Sequence, residues 1–280
     1  MIFIGVDAAW GDVNETGVVA LEPSGVVRDA GWAVGVAATA AWIRERTEPE
    51  TLVFVDAPLV VANPSGQRVC EKHVAQRYGR WRVSANSTNT ASRRLGEVAL
   101  LAALVEHGFR YDDGIDGPPA SDRVLSECYP YTTMVGYPPF DYDEPPRYKR
   151  KPRRIRVAEF RPLRASFCDD LIGRVAALAT ADPPLDLQSH PVTRALLDEP
   201  SPLADRAYKH REDLLDAGLC AWTASLWQRH GIERCQVLGA AADVERPAAT
   251  IIAPARPEQR EHARPSNVYG PRLSRKGAAP

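Results

Sequence analysis

Ile2-Phe3-Ile4-Gly5-Val6-Asp7-Ala8 and Thr51-Leu52-Val53-Phe54-Val55-Asp56-Ala57-Pro58 are the two stretches that decide the fold. Each is an apolar, largely β-branched run that ends on an aspartate. Apolar residues at successive positions predict a strand covered on both faces, rather than the alternation of a half-exposed one. Between them, Thr16–Glu22 and Val26–Val34 read as strands separated by turns at Gly11–Glu15 and Pro23–Gly25. Val36–Arg46 then reads as an alanine-rich helix. The order is strand, strand, strand, helix, strand. A right-handed crossover through that helix sets the fourth strand parallel to, and beside, the first. Asp7 and Asp56 would then emerge together at one edge of the sheet. A carboxylate at the end of a buried strand is costly to desolvate unless a positive group compensates it.

Further along, Gln67–Tyr78 predicts a helix and Arg80–Thr90 a polar loop. Thr90–His107 predicts a helix capped by Thr90 and stopped by Gly108. Arg123–Cys128 reads as the fifth strand, with Glu127 near its end. Tyr137–Pro152, rich in Pro, Tyr and charge, predicts an extended insertion, taken as a Pro/Arg-rich segment near 137–156. Phe160–Ala179, Val192–Asp198 and Arg211–His230 read as helices, and Val237–Gly239 with Thr250–Ala253 as a small terminal hairpin. Pro, Arg and Gly dominate from Arg256 onward, so residues 255–280 are expected to be a mobile tail. The expected architecture is one α/β domain over residues 1–254. Its core would be a mixed five-stranded sheet, a three-strand meander followed by a helix and parallel strands, flanked by helices.

The chain has 280 residues, 44% hydrophobic and 25% charged, with a formal net charge of −1, which fits a soluble globular protein. No apolar run approaches the roughly 20 residues of a membrane span. Met1 leads directly into a strand-like run, so no secretory signal is expected. The five cysteines lack a Cys-x-x-Cys pair, which argues against a zinc site or a disulfide framework and predicts a reduced, cytoplasmic protein. Charge is unevenly spread. From Arg147 to Arg164 Lys and Arg, including Arg150, Arg153 and Arg154, run against Glu159 alone, and such a block attracts phosphate or is simply a solvated loop.

On the late helix, Asp213 and Asp216 are three residues apart and share a face. Asp216 precedes Ala217-Gly218, small residues that permit close approach to a sheet. If this helix lies against the strand edge, Asp216, with Asp213 second, joins Asp7 and Asp56. Carboxylates in such proximity suppress each other's ionisation unless cations intervene. Oxygen ligands of this kind suit Mg²⁺ or Mn²⁺, and paired ions can activate water for phosphodiester cleavage. Glu127 is a candidate further ligand or the partner of an Arg. Lys209, one turn before Asp213, is a candidate phosphate contact, as are Asn86 and Asn89 in the polar loop.

Gly5-Val6-Asp7-Ala8-Ala9-Trp10, Val55-Asp56-Ala57-Pro58-Leu59, Cys70-Glu71, Glu127-Cys128-Tyr129-Pro130 and Tyr208-Lys209 followed by Asp213–Trp222 together resemble an uncharacterised bacterial and archaeal family of predicted RNase H-like nucleases. That family is similar to the Holliday-junction-resolvase-like branch of the RNase H-like superfamily, and the resemblance spans roughly Ile2 to Gly239. It implies an RNase H-like sheet, a nucleic-acid partner and a divalent metal. Asp7, Asp56 and Asp216 match the superfamily's metal-binding positions, with Asp213 a fourth. Two other readings stand beside a nuclease. One is a non-catalytic binding module whose carboxylates serve as hydrogen-bond acceptors. The other is a phosphotransferase or ATPase of the related actin-like fold, against which Ala8-Ala9-Trp10-Gly11 lacks the glycine expected directly after Asp7.

Overall fold

The computed structural model describes residues 1–9, 14–92, 95–240 and 246–260. Trp10 and Gly11, which bear on the phosphate-hairpin reading, and most of the expected tail lie outside the described residues. Eight strands and seven α-helices are described. They are β1 Ile2–Asp7, β2 Glu15–Leu21, β3 Val27–Val34, α1 Gly35–Glu45, β4 Thr51–Val55, α2 Val69–Tyr78, α3 Gly96–Val105, β5 Arg110–Tyr111, β6 Arg123–Glu127, α4 Pro130–Gly136, α5 Val157–Ala176, α6 Pro191–Asp198, α7 Asp205–His230, β7 Cys235–Leu238 and β8 Ile251–Pro254. The main sheet has six strands in the order β3-β2-β1-β4-β6-β5, and β7 and β8 pair apart from it. The first three strands form an antiparallel meander, while β1, β4, β6 and β5 run parallel. The sixth strand, β5, consists of two residues and is too short to carry a periodic signal of its own.

Strand alternation divides the core in two. Ile2, Ile4, Val6, Val53, Val55 and Leu125 face α1 and α3, whereas Phe3, Leu52, Phe54 and Val124 face α7 and the β7–β8 pair. Every residue of β1 and β4 is buried, which explains their uninterrupted apolar runs. α7 is 26 residues long and lies across β1, β2 and β4. It begins at Asp205, earlier than its apolar stripe indicates, because the charged first turn binds outward: Asp205 pairs with Arg161 and Arg164.

Two strand glycines let α7 sit close. A Cβ on Gly5 would collide with the backbone at Ala217 and Ala221, and one on Gly17 with the backbone of Asp213. Gly218, by contrast, faces open space, so the close approach comes from Gly5 and Ala217 rather than from Gly218. Gly5→Ala should therefore lower stability by about 2–3 kcal/mol through overpacking. Gly218→Ala should raise it by about 0.5–1 kcal/mol through helix propensity. Urea unfolding of the two variants checks the pair, and equal effects would contradict this packing.

Three expectations change. α3 starts at Gly96 with Leu95 as its N-cap, so Thr90 does not cap it; Thr90 donates instead to the Asn63 carbonyl in the preceding loop. The Pro-rich stretch 137–152, expected to be an extended insertion, opens with a 3-10 turn over Pro138–Phe140 and is anchored in the core by Tyr137, Phe140, Tyr142 and Tyr148. At the C-terminus, Ala255 and Gln259 are buried, and Tyr78 donates to the Pro254 carbonyl, so the packed chain extends at least to Gln259.

Candidate metal centre

Register delivers the first two acids. β1 and β4 pair in parallel with Val6 opposite Val55, and the Asp56 amide donates to the Val6 carbonyl at 2.9 Å. Asp7 and Asp56 therefore leave neighbouring strands at the same level. By alternation both take the α7 side, as Gly5 and Phe54 do. Their location outside the carboxyl ends of parallel strands is where α/β sheets open a crevice. α7, drawn in by Gly5, adds Asp216. Ligand oxygens of Asp7, Asp56 and Asp216 all lie within 4.8 Å of one another. This buried acidic triad can hold a metal ion.

The electrostatics show how costly the cluster is. Burial, reinforced by Asp216 and Asp213, pushes the Asp7 carboxyl well above the usual carboxylate range, and Lys149 opposes the shift. Burial does the same to Asp56, again opposed by Lys149. Asp216 is fully buried. Its Oδ1 accepts from the Tyr148 hydroxyl at 2.8 Å and its Oδ2 is ion-paired with the Lys149 ammonium. Lys149 also lies 3.9 Å from Asp7 and 3.6 Å from Glu212. Burial alone would lower its pKa, but Asp216, Asp7, Glu212 and Asp56 together hold it well above the ordinary lysine value.

A divalent cation fits this donor set. In their ionised forms the three carboxylates face the Lys149 ammonium with an excess of negative charge that an ion would compensate. Asp7 Oδ2 is buried and accepts no hydrogen bond. All three donors are hard oxygens, the preference of Mg²⁺ and Mn²⁺ rather than of thiophilic metals. The five cysteines, all free and buried, take no part in the triad.

Asp213 lines the same cleft and shares a side-chain hydrogen bond with Asp7, but it is not one of the three acids whose oxygens lie within 4.8 Å of one another. It is ion-paired with Lys209 and its carboxyl is raised to about 6 by burial, with Lys209 opposing. Lys209 also donates to Glu212 at 3.1 Å. Glu127, a candidate ligand from the sequence, lies outside the triad. In register it stands opposite Val55, not Asp56, so alternation turns its side chain to the other face. There both of its oxygens accept from Arg68 Nη1 at 2.8 Å, and its Oε1 also accepts from the amides of Leu59 and Val60. It is the partner of an Arg, and it anchors the loop that follows Asp56. Glu71 completes that buried network by accepting from Arg68 Nε at 2.9 Å and from the Thr88 amide.

Asp7, Asp56, Glu212 and Asp213 line a cleft of about 820 Å³ that also carries Lys149, Arg150, Arg206, Lys209 and His210, and Asp216 lies buried behind it. The basic block from Arg147 to Arg164 is thus divided. Lys149 and Arg150 enter the cleft, and Asn86 orients Arg150 by accepting at 3.1 Å. Arg153 lines an adjoining cleft, Arg154 is exposed, and Arg161 and Arg164 are spent on Asp205. Asn89 closes its own loop by donating to the Gly66 carbonyl. Sequence reading missed Tyr148 and Lys149 as site residues. The signal was an aromatic anchor inside a Pro-rich charged run: buried Tyr148 fixes the backbone, and its neighbour Lys149 is held at the acids. It also missed Glu212, a charged residue on an otherwise buried helix face.

No helix among the described residues is long and apolar enough to cross a membrane. No curated protein and no solved structure matches the chain. Residues 5–243, which include Asp7, Asp56, Glu127, Lys149 and Asp216, match the family model described as "Protein of unknown function (DUF429)", and the chain belongs to that family.

Proposed function

We propose that this protein is a metal-dependent phosphodiesterase that hydrolyses nucleic acid, with an RNase H-like sheet and Mg²⁺ or Mn²⁺ as its ion. The observation that carries the reading is the triad itself: Asp7, Asp56 and Asp216, with an unpartnered Asp7 oxygen, the first two opening onto a cleft that carries basic side chains. The bound ion would polarise the phosphoryl oxygen and lower the pKa of water for attack. The remaining work falls to the chain's own residues. Lys209, Arg150 and Arg206 meet the phosphodiester backbone. The Tyr148 hydroxyl holds Asp216 in one rotamer, and the Arg68–Glu127 pair holds the loop behind Asp56. Incubation of the protein with a labelled oligonucleotide and Mn²⁺, against an EDTA control, tests this reading directly. Cleavage that persists in EDTA would refute it.

A specific observation favours the competing reading, a metal-free binding module. Lys149 already gives Asp216 a cation. Mn²⁺ calorimetry separates the two readings, because a module whose acids are satisfied by Lys149 binds no ion.

The pH dependence has a defined sign. Asp7 and Asp56 have raised carboxyl pKa values in the folded protein. The folded state therefore holds protons that the unfolded chain has lost. The metal-free protein loses stability as pH rises from the ordinary carboxylate range toward those raised values. An ion must displace the same protons, so it binds better at higher pH. The rise in Tm on adding about 1 mM Mn²⁺ should accordingly be larger at about pH 8 than at about pH 6. A larger rise at the lower pH would contradict the assignment.

A further inference from the structure

Beside the acidic cleft lies a second one of about 360 Å³. Tyr129, Tyr131 and Arg150 line both, so the two are continuous. Its charge is of the opposite sign. Arg82, Arg147, Lys151 and Arg153 line it together with Arg150, and Glu144 is its one acid among the described residues. Glu144 is paired with Arg82 at 3.0 Å. Arg147 and Arg153 are exposed, and no described carboxylate pairs with either. Uncompensated guanidinium groups along a groove are an electrostatic track for a polyanion.

The junction between the clefts is aromatic. The Tyr129 and Tyr131 rings meet edge to face at 5.5 Å, and Tyr131 rests in the same way on buried Tyr148 at 5.9 Å. Tyr148 is in turn tied to Asp216 by its hydroxyl. The aromatic step is therefore rigid and is mechanically joined to the acidic triad. In a duplex each base face is covered by its neighbours. An aromatic ring that stacks on a base within a strand therefore needs that base to be unpaired and unstacked.

We propose that the second cleft carries a single-stranded nucleic-acid segment. Its phosphates would be held by Arg147 and Arg153, and a base beside the scissile phosphate would stack at Tyr131. The strand's role as a substrate rests on the phosphodiesterase reading of the acidic site, whereas its recognition by the cleft does not. This divides the labour between the clefts. A strand bound by its flanking phosphates in the basic groove is carried past Arg150 into the acidic groove, where the triad alone would repel it.

Fluorescence anisotropy on the full chain in EDTA, which prevents metal-dependent cleavage, tests the proposal with one labelled oligonucleotide offered as single strand or as blunt duplex. The single strand should bind about tenfold more tightly than the duplex. Arg147→Ala with Arg153→Ala should weaken it about tenfold and reduce the slope of log affinity against log salt by about 1.4, two phosphates at about 0.7 each. Tyr131→Leu should weaken single-strand binding about tenfold while Tyr131→Phe, which keeps the ring, retains it. Equal affinity for duplex and single strand, or an arginine double variant that binds like wild type with an unchanged salt slope, overturns the proposal. Mn²⁺ calorimetry on the same preparations keeps the two readings apart. Wild-type protein that prefers the single strand but binds no Mn²⁺ supports the track and refutes only the metal reading.

Discussion

Asp7→Asn is expected to lower Mn²⁺-dependent cleavage by about three orders of magnitude, a loss on the order of 4 kcal/mol in transition-state stabilisation. The amide has nearly the volume of the carboxyl, so packing at the end of β1 is retained. What changes is charge: the triad loses one of its three carboxylates and with it a buried oxygen that accepts no hydrogen bond. Because the Asp7 carboxyl is held well above its ordinary range, first by burial and then by Asp216 and Asp213, removing its charge relieves a cost in the metal-free protein. Asp7→Asn should therefore be at least as stable as wild type in EDTA at about pH 8, while losing the stabilisation by Mn²⁺. The combination of a stable fold, no response to Mn²⁺ and no cleavage distinguishes a lost ligand from a damaged core. Cleavage at the wild-type rate would remove Asp7 from the site.

Arg68→Met should cost about 3–5 kcal/mol of folding stability, the range for breaking a buried ion pair by deleting one partner. Arg68 is buried, and it holds both Glu71 and Glu127 within 3 Å. Burial raises the Glu127 carboxyl, and Arg68 is the main influence that opposes it. Without the guanidinium, the Glu127 carboxyl would rise further and take up a proton on folding. The deficit should therefore shrink as pH falls toward the raised value and be greatest at about pH 8. Urea unfolding at about pH 5 and pH 8 measures this, and a deficit that grows on acidification would contradict it. Adding Glu127→Gln to Arg68→Met should recover part of the loss, because the orphaned charge is then gone. Even where the variant folds, cleavage should fall, since Glu127 accepts from the Leu59 and Val60 amides just beyond Asp56.

The sheet was legible because its strands are buried on both faces. β1 and β4 show uninterrupted apolar runs, and the single helix between the meander and β4 leaves one plausible position for Asp56. The helix carrying Asp216 was legible from its apolar stripe and its small residues. Of the two readings of Glu127, the partner of an Arg is the one the structure bears out, for a reason present in the chain. Asp56 follows the last residue of β4, whereas Glu127 is the last residue of β6, and that offset of one reverses the face. For residues 137–152, Pro and charge indicated an extended segment and gave no account of its burial. Its tyrosines were the contrary signal, and they bury it. Lys149 could not be assigned from spacing at all, since nothing local relates it to strands more than ninety residues away. Its place at the triad is a product of tertiary packing through Tyr148 and Tyr208, whose hydroxyl donates to the Tyr148 carbonyl at 2.7 Å.

Lys149 also marks where the account is most exposed to test. Among the described residues it is the one ammonium paired with Asp216, so an entering ion must share or take its position. The direct measurement is a crystal soaked in Mn²⁺ with anomalous scattering recorded above the manganese edge. The account predicts a peak about 2.1–2.3 Å from oxygens of Asp7, Asp56 and Asp216, with the Lys149 ammonium moved away from Asp216. An absence of anomalous density there, with Lys149 still paired to Asp216, would contradict it.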